Sequence, residues 1–300
     1  MSLLPFELPQ SFLAIADRDE QWAAWVDSVP RIVHDLIAEW DLAVDGEPMH
    51  GWTSLVVPVR AQGRPAVLKV AWPHEECQHE ILALQHWHGR GAALMLRADP
   101  RRNAMLLERL STRDLMHVDD LEACEIIGGL YARLHVPAPP QLVPLSSYIR
   151  RHTADLERLP RDAAVPRRIV EQAVHLGRSL VDDPATDGTL IHGDLHHQNV
   201  LGGGREAWLA IDPQPVSGDP HYEVDPVLFN RWDEIVASGD IRAAVRRRFH
   251  AVVDAAGLDE ERARAWVVVR EAHNAMWAIE DGDDPDRVTM AVAIVKAVQD

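Results

Sequence analysis

His192-Gly193-Asp194-Leu195-His196-His197-Gln198-Asn199 is the stretch on which the reading of the fold turns. The residues leading into it, Thr189-Leu190-Ile191-His192, read as a short buried strand, so the polar groups that follow project from a strand end. Asp194 and Asn199 stand five positions apart, and a further acid, Asp212, lies thirteen beyond Asn199. Asp212 ends a second apolar run, Ala207-Trp208-Leu209-Ala210-Ile211-Asp212, which Gly202-Gly203-Gly204 sets off as a turn. Phosphoryl transfer needs such a set. A carboxylate must orient the attacking hydroxyl and accept its proton, while oxygen ligands hold Mg²⁺ on the phosphates. Mg²⁺ is a hard cation that favours carboxylate and amide oxygens, which suits Asp212 and Asn199. Alone, Asp194 would read as a turn or helix cap; Lys69, Asn199 and Asp212 in order turn the balance toward chemistry.

Working outward, the pattern upstream is strand-rich. Thr53-Ser54-Leu55-Val56-Val57-Pro58-Val59 and Pro65-Ala66-Val67-Leu68-Lys69-Val70-Ala71 flank a turn at Gly63 and read as an antiparallel hairpin. Lys69 interrupts an otherwise apolar strand, which points to a paired, functional lysine. A helix carrying Glu80, Ile81, Leu84 and Trp87 follows and ends near Gly89 and Gly91; Ala104-Met105-Leu106-Leu107-Glu108 is a further strand. Ahead of these, Ile32, Val33, Leu36, Ile37 and Trp40 recur at helical spacing, with Pro30 expected in the first turn. Downstream, Leu121, Cys124, Ile127, Leu130, Tyr131 and Leu134 form a helical stripe, and the remainder reads as helix apart from the two strands already described. The expected class is α+β in two lobes: residues 1–108 with an antiparallel sheet and helices, and residues 109–300 mainly helical.

Composition sets outer limits. The chain has 300 residues, 47% hydrophobic and 26% charged, and a formal charge of −17. So acidic a surface disfavours nucleic acid and anionic lipid and attracts cations. No apolar run approaches the roughly 20 residues that span a bilayer, and the N-terminus lacks the basic region that opens a secretory signal. Cys77 and Cys124 are too few for a disulfide framework. The expectation is a cytoplasmic protein with two reduced thiols, a monomer or homodimer.

His192-Gly193-Asp194 with Asn199 resembles the kinase catalytic loop, and Asp212-Pro213 stands where protein kinases place the Asp of D-F-G. The form His-Gly-Asp, Asn, Ile-Asp-Pro is similar to the aminoglycoside phosphotransferase family, and in particular to its streptomycin and aminoglycoside/hydroxyurea resistance kinase branch. Met105-Leu106-Leu107-Glu108-Arg109-Leu110, Leu134 to Pro140 and Trp277-Ala278-Ile279-Glu280-Asp281-Gly282 extend the likeness through most of the chain from about residue 50. The resemblance implies a bilobal protein-kinase-like fold and an ATP- and Mg²⁺-dependent kinase of small molecules. It implies Asp194 as catalytic base, Asn199 and Asp212 as metal ligands, and Lys69 on the α- and β-phosphates. Glu80 or Glu76 would orient Lys69. Glu108 to Leu110 would face adenine as the hinge, and a loop holding Gly51 and Ser54 would cover the nucleotide in the first lobe. The chain lacks G-x-G-x-x-G, the Gly of D-F-G, and A-P-E, departures that argue against a protein substrate.

The acidic C-terminal segment bears on the acceptor. Glu271, Asn274 and Asp281 fall along one side of a helix, with Trp277 at its edge and Glu280 beyond; Asp283, Asp284 and Asp286 follow. The resemblance implies that such acids meet a cationic small molecule. Glu280 and Asp281 are the favoured contacts, and a solvated charged face is the competing reading.

Overall fold

The structure is a computed structural model that describes residues 3–73, 79–282 and 284–299. Glu76, Cys77 and Asp283 lie outside them. The chain divides into two units, Met1–Ser111 and Thr112–Asp300.

The first unit opens with α1 (Gln10–Leu13) and α2 (Glu20–Glu39), followed by β1 (Leu42–Val44), β2 (Met49–His50), β3 (Ser54–Ala61), β4 (Arg64–Ala71), α3 (Glu80–Trp87), β5 (Met95–Asp99) and β6 (Ala104–Glu108). Helix α2 starts ten residues before Pro30, so the expected first-turn proline sits mid-helix. The reason is Asp19, whose carboxylate caps the N–H groups of Gln21 and Trp22. The strands form an antiparallel six-stranded sheet in the order β1-β3-β4-β6-β5, with β2 paired to β3. Ala61 pairs with Arg64 across Gln62 (φ 50°) and Gly63 (φ 76°), the left-handed pair that closes a two-residue hairpin. Leu55, Val57 and Val59 of β3 and Ala66, Leu68 and Val70 of β4 share one core with Val29, Val33 and Leu36 of α2. Period-two alternation therefore turns Lys69 to the opposite face.

The second unit holds α4 (Asp120–Leu134), β7 (Val136–Pro137), α5 (Leu145–Glu157), α6 (Arg167–Val181), β8 (Thr189–Ile191), β9 (Val200–Gly202), β10 (Trp208–Ala210), β11 (Val216–Gly218), α7 (Asp225–Phe229), α8 (Trp232–Ala237), α9 (Ile241–Ala256), α10 (Glu260–Glu280) and α11 (Pro285–Gln299). Two strands were expected here. Two small antiparallel sheets are found, β10-β9 and β11-β8-β7; β7, β9 and β11 are two or three residues long, too short to show a period. Among the described residues no helix is long and apolar enough to cross a membrane, and Cys124 is a free, buried thiol.

Candidate active site

In the second unit β8 delivers the loop His192–Asn199, and main-chain bonds lock it to the segment after β10. His192 is fully buried. Its Nε2 donates to the Ile211 carbonyl (3.0 Å) and its Nδ1 accepts the Asp194 N–H (3.3 Å), so the imidazole is the neutral Nε2–H tautomer. The Ile211 N–H donates to the Asn199 carbonyl at 2.9 Å. One residue is thus held through both its N–H and its C=O from the two ends of the loop, and Asp212, next in the chain, is brought beside Asn199 with a left-handed φ of 58°. Such a backbone at a non-glycine residue costs about 1–3 kcal/mol and persists where its surroundings over-determine it.

Asn199 Nδ2 donates to the Asp194 carbonyl (2.8 Å), which turns the amide oxygen the other way. An amide oxygen and a carboxylate are hard oxygen donors, so the residues present suit Mg²⁺. The Asp194 carboxylate accepts from Gln214 Nε2 (3.4 Å) and lies 3.7 Å from His196 Nε2. Burial above all holds His196 down at about 4, so it is neutral at pH 7. Gly193 has φ 83°, and a Cβ there would meet the Gln214 carbonyl oxygen at 2.2 Å, so only glycine fits.

Three residues that sequence reasoning missed secure this loop. Glu223, fully buried, accepts the Gly193 N–H (2.7 Å) and is bound by His135 Nε2 (2.7 Å), which stacks on Tyr131. Burial pushes the Glu223 carboxyl up, but the His135 and Gly193 hydrogen bonds outweigh it and the net shift is downward. Arg270 Nη2 donates to the Gly193 carbonyl at 2.8 Å. The available signal was acids set inside an apolar run, Tyr222-Glu223-Val224-Asp225-Pro226-Val227-Leu228.

In the first unit Lys69 and Glu80 meet at 2.6 Å, 6% and 1% exposed. The other acid considered, Glu76, is outside the described residues. Ser54 opens β3 and is buried, and its carbonyl accepts the Gly51 N–H at 3.0 Å. A Cβ at Gly51 would make only ordinary contact at 3.4 Å, so no steric demand fixes glycine there. Glu108 accepts the Leu94 N–H (2.7 Å) at the end of β6, and Leu110 is half-buried two residues on.

The expected acceptor face on α10 needs correcting. Glu271 is 1% exposed and its side chain hydrogen-bonds Asp225, so it does not face solvent. Asn274 turns the same way, its Nδ2 3.4 Å from Asp225 Oδ2. Trp277 is half-buried in a ring cluster with Tyr148 (6.4 Å), His152 (5.0 Å) and His273 (5.9 Å). Glu280 and Asp281 are exposed where α10 ends. A helical wheel groups residues on a face without saying which face packs inward.

Histidine-based metal binding finds one cluster among the described residues: Asp120, Cys124 and His197, with ligand atoms within 4.8 Å of one another. Asp120 there is already paired with Arg248 (2.7 Å), and Arg231 lies 3.8 Å away. A metal cation would face two guanidinium groups, so this cluster does not suit one.

Known proteins resemble this chain in sequence and in fold. Residues 39–282 match the family model for aminoglycoside/hydroxyurea antibiotic resistance kinases. The chain is 41% identical over 302 residues to the streptomycin 6-kinase of Streptomyces glaucescens, covering 96% of this chain and 97% of that one. It is 39% identical over 267 residues to the hydroxyurea phosphotransferase of Kitasatospora aureofaciens, covering 86% and 76%. The aminoglycoside phosphotransferase APH(4)-Ia, solved with ADP and hygromycin B, shares the fold at a TM-score of 0.60 and 17% identity over 91% of this chain and 98% of that one. The choline kinase LicA of Streptococcus pneumoniae does so at 0.58 and 12% over 90% and 98%. The α+β protein-kinase-like class expected from the sequence is the class found. With a family model spanning most of its length and relatives this similar end to end, the chain belongs to the aminoglycoside/hydroxyurea antibiotic resistance kinases, a family of small-molecule kinases.

Proposed function

We propose that this kinase transfers the γ-phosphoryl group of ATP to a hydroxyl of a streptomycin-type aminoglycoside. The observation that carries the reading is the double clamp on Ile211, through its N–H and its C=O, which draws Asp194, Asn199 and Asp212 toward one another. Asp194 orients the acceptor hydroxyl and takes its proton as the oxygen attacks phosphorus. Its carboxylate is steadied by Gln214, and the neutral His196 beside it does not compete as a charged acid. Asn199 and Asp212 would hold Mg²⁺, which would neutralise charge on the phosphate oxygens. Lys69, kept in place by Glu80, neutralises the α- and β-phosphates. Glu108 to Leu110 serve adenine and the turn at Gly51 and Ser54 covers the nucleotide. Glu280 and Asp281, exposed carboxylates, attract the cationic acceptor.

The test is ATP consumption by the purified protein with Mg²⁺ across aminoglycosides, amino sugars and hydroxyurea, with the phosphorylated position read by NMR. Turnover of streptomycin, lowered about 10²–10⁴-fold in D194A with nucleotide binding intact, is the expected result. Undiminished turnover in D194A would remove Asp194 from its role. The 39% identity to a hydroxyurea phosphotransferase favours hydroxyurea as the second acceptor; phosphorylation of it alone would keep the kinase and replace the substrate.

A further inference from the structure

Asp225 of α7 and Glu271 of α10 are two carboxyl groups inside one interior, 0% and 1% exposed. Each has an oxygen, Asp225 Oδ1 and Glu271 Oε1, that is buried and receives no hydrogen from any N–H or hydroxyl of the described residues. The two side chains lie within hydrogen-bonding reach of each other. Two carboxylates have only acceptors to offer, so a bond between them requires a proton on one of them. Arg270 decides which. Its Nε lies 3.3 Å from Asp225 Oδ2, so the charge sits on Asp225 and the proton on Glu271. The same guanidinium donates from Nη2 to the Gly193 carbonyl (2.8 Å) and from Nη1 to the Tyr222 carbonyl (3.3 Å).

We propose that Glu271 is a positioning residue that works as a neutral acid, sharing its proton with Asp225 so that Asp225 holds Arg270 on the Gly193 carbonyl and thereby fixes the main chain at Asp194. Neither acid touches substrate. The arrangement is balanced: one anion, one cation and one neutral acid, in an interior where a second unpaired anion would be costly. The other groups around the pair agree. Asn274 donates to Asp225 Oδ2. Arg248 of α9 is engaged by Asp120 and by the carbonyls of Val227 and Asn230. The buried faces of α6 and α11 carry no charge. Burial first and the neighbouring Asp225 second hold the Glu271 carboxyl well above its usual range, while Asp225 rises only to about 6 and is ionised at neutral pH.

The sign of the pH effect follows. The unfolded Glu271 loses its proton near the ordinary value of 4.5, whereas the folded protein keeps it to higher pH. The proton's contribution to stability is therefore complete below that value and declines as pH rises above it, until the folded group ionises. Glu271→Gln keeps a hydrogen-bond donor and cannot ionise. Its melting temperature should fall less between pH 6 and pH 9 than that of the unaltered protein. The infrared band of a protonated carboxyl, present in the unaltered protein at pH 7, should vanish in E271Q. The kinetic arm rests on the proposed phosphotransfer: E271A and D225N should lower kcat about 10–100-fold with little change in the acceptor KM, and E271Q should restore most of that loss. Equal pH slopes in the unaltered protein and E271Q would overturn the proposal, as would absence of the infrared band, which needs no variant to fold. A kcat in E271Q as low as in E271A would overturn it too. If no acceptor is turned over, the substrate reading fails while the melting and infrared results still decide the shared proton.

Discussion

A side chain at position 193 would press a Cβ to 2.2 Å from the Gln214 carbonyl oxygen, in a backbone that L residues rarely adopt. Gly193→Ala should therefore destabilise by about 3 kcal/mol or more, read by urea unfolding, and lower kcat about 100-fold under conditions where the variant is folded. The Lys69–Glu80 pair poses the opposite problem, since each partner offsets the other's buried charge. Lys69→Ala strips a 1%-exposed carboxylate of a cation 2.6 Å away and should cost about 3–5 kcal/mol. Glu80→Ala should cost a similar amount, and the double variant clearly less than the sum, a coupling measurable in a double-mutant cycle. Lys69 was legible in the sequence because a polar group in an apolar strand needs a reason. Glu223 and Arg270 were not, because they act on the main chain of Gly193 from 30 and 77 positions away.

At the scale of elements, α4 and α9 pack so closely that neighbouring glycines behave oppositely. A Cβ on Gly128 would meet the Ala255 Cβ at 2.8 Å and the Val252 carbonyl oxygen at 3.0 Å, while one on Gly129 meets nothing within 4 Å. Gly129→Ala should stabilise by about 0.5–1 kcal/mol through helix propensity, and Gly128→Ala should destabilise despite the same gain; thermal melts of the two variants check both signs. Hairpins and long helices with strong periodicity were readable, as β3, β4 and α4 show. Where the reading failed, a local signal gave way to a stronger one. Pro30 reads as a helix start until the Asp19 cap is counted. Strands of two or three residues exist only because a neighbour pairs with them. Glu271 was expected on an exposed face of α10 and lies on a buried one.

For the whole molecule, the −17 charge is a field as well as a composition. It should draw a cationic acceptor and repel a nucleotide. Raising ionic strength from tens to hundreds of millimolar should increase the acceptor KM a few-fold and leave that of ATP unchanged or lower, measured by initial rates at fixed Mg²⁺. A salt-independent acceptor KM would confine the attraction to short-range contacts. The sequence could supply this sum but not its distribution, because which acids stay exposed depends on packing, as Glu280 and Glu271 on one helix illustrate. Ile211, finally, carries a consequence for how the protein breathes. Its N–H is given to Asn199 and its C=O is taken by His192. Deuterium should reach that one amide only when the loop from 192 to 199 lifts away from the strand behind it. Its exchange rate is then a clock on a single hydrogen, timing how often the loop from 192 to 199 comes apart in a molecule that is otherwise folded.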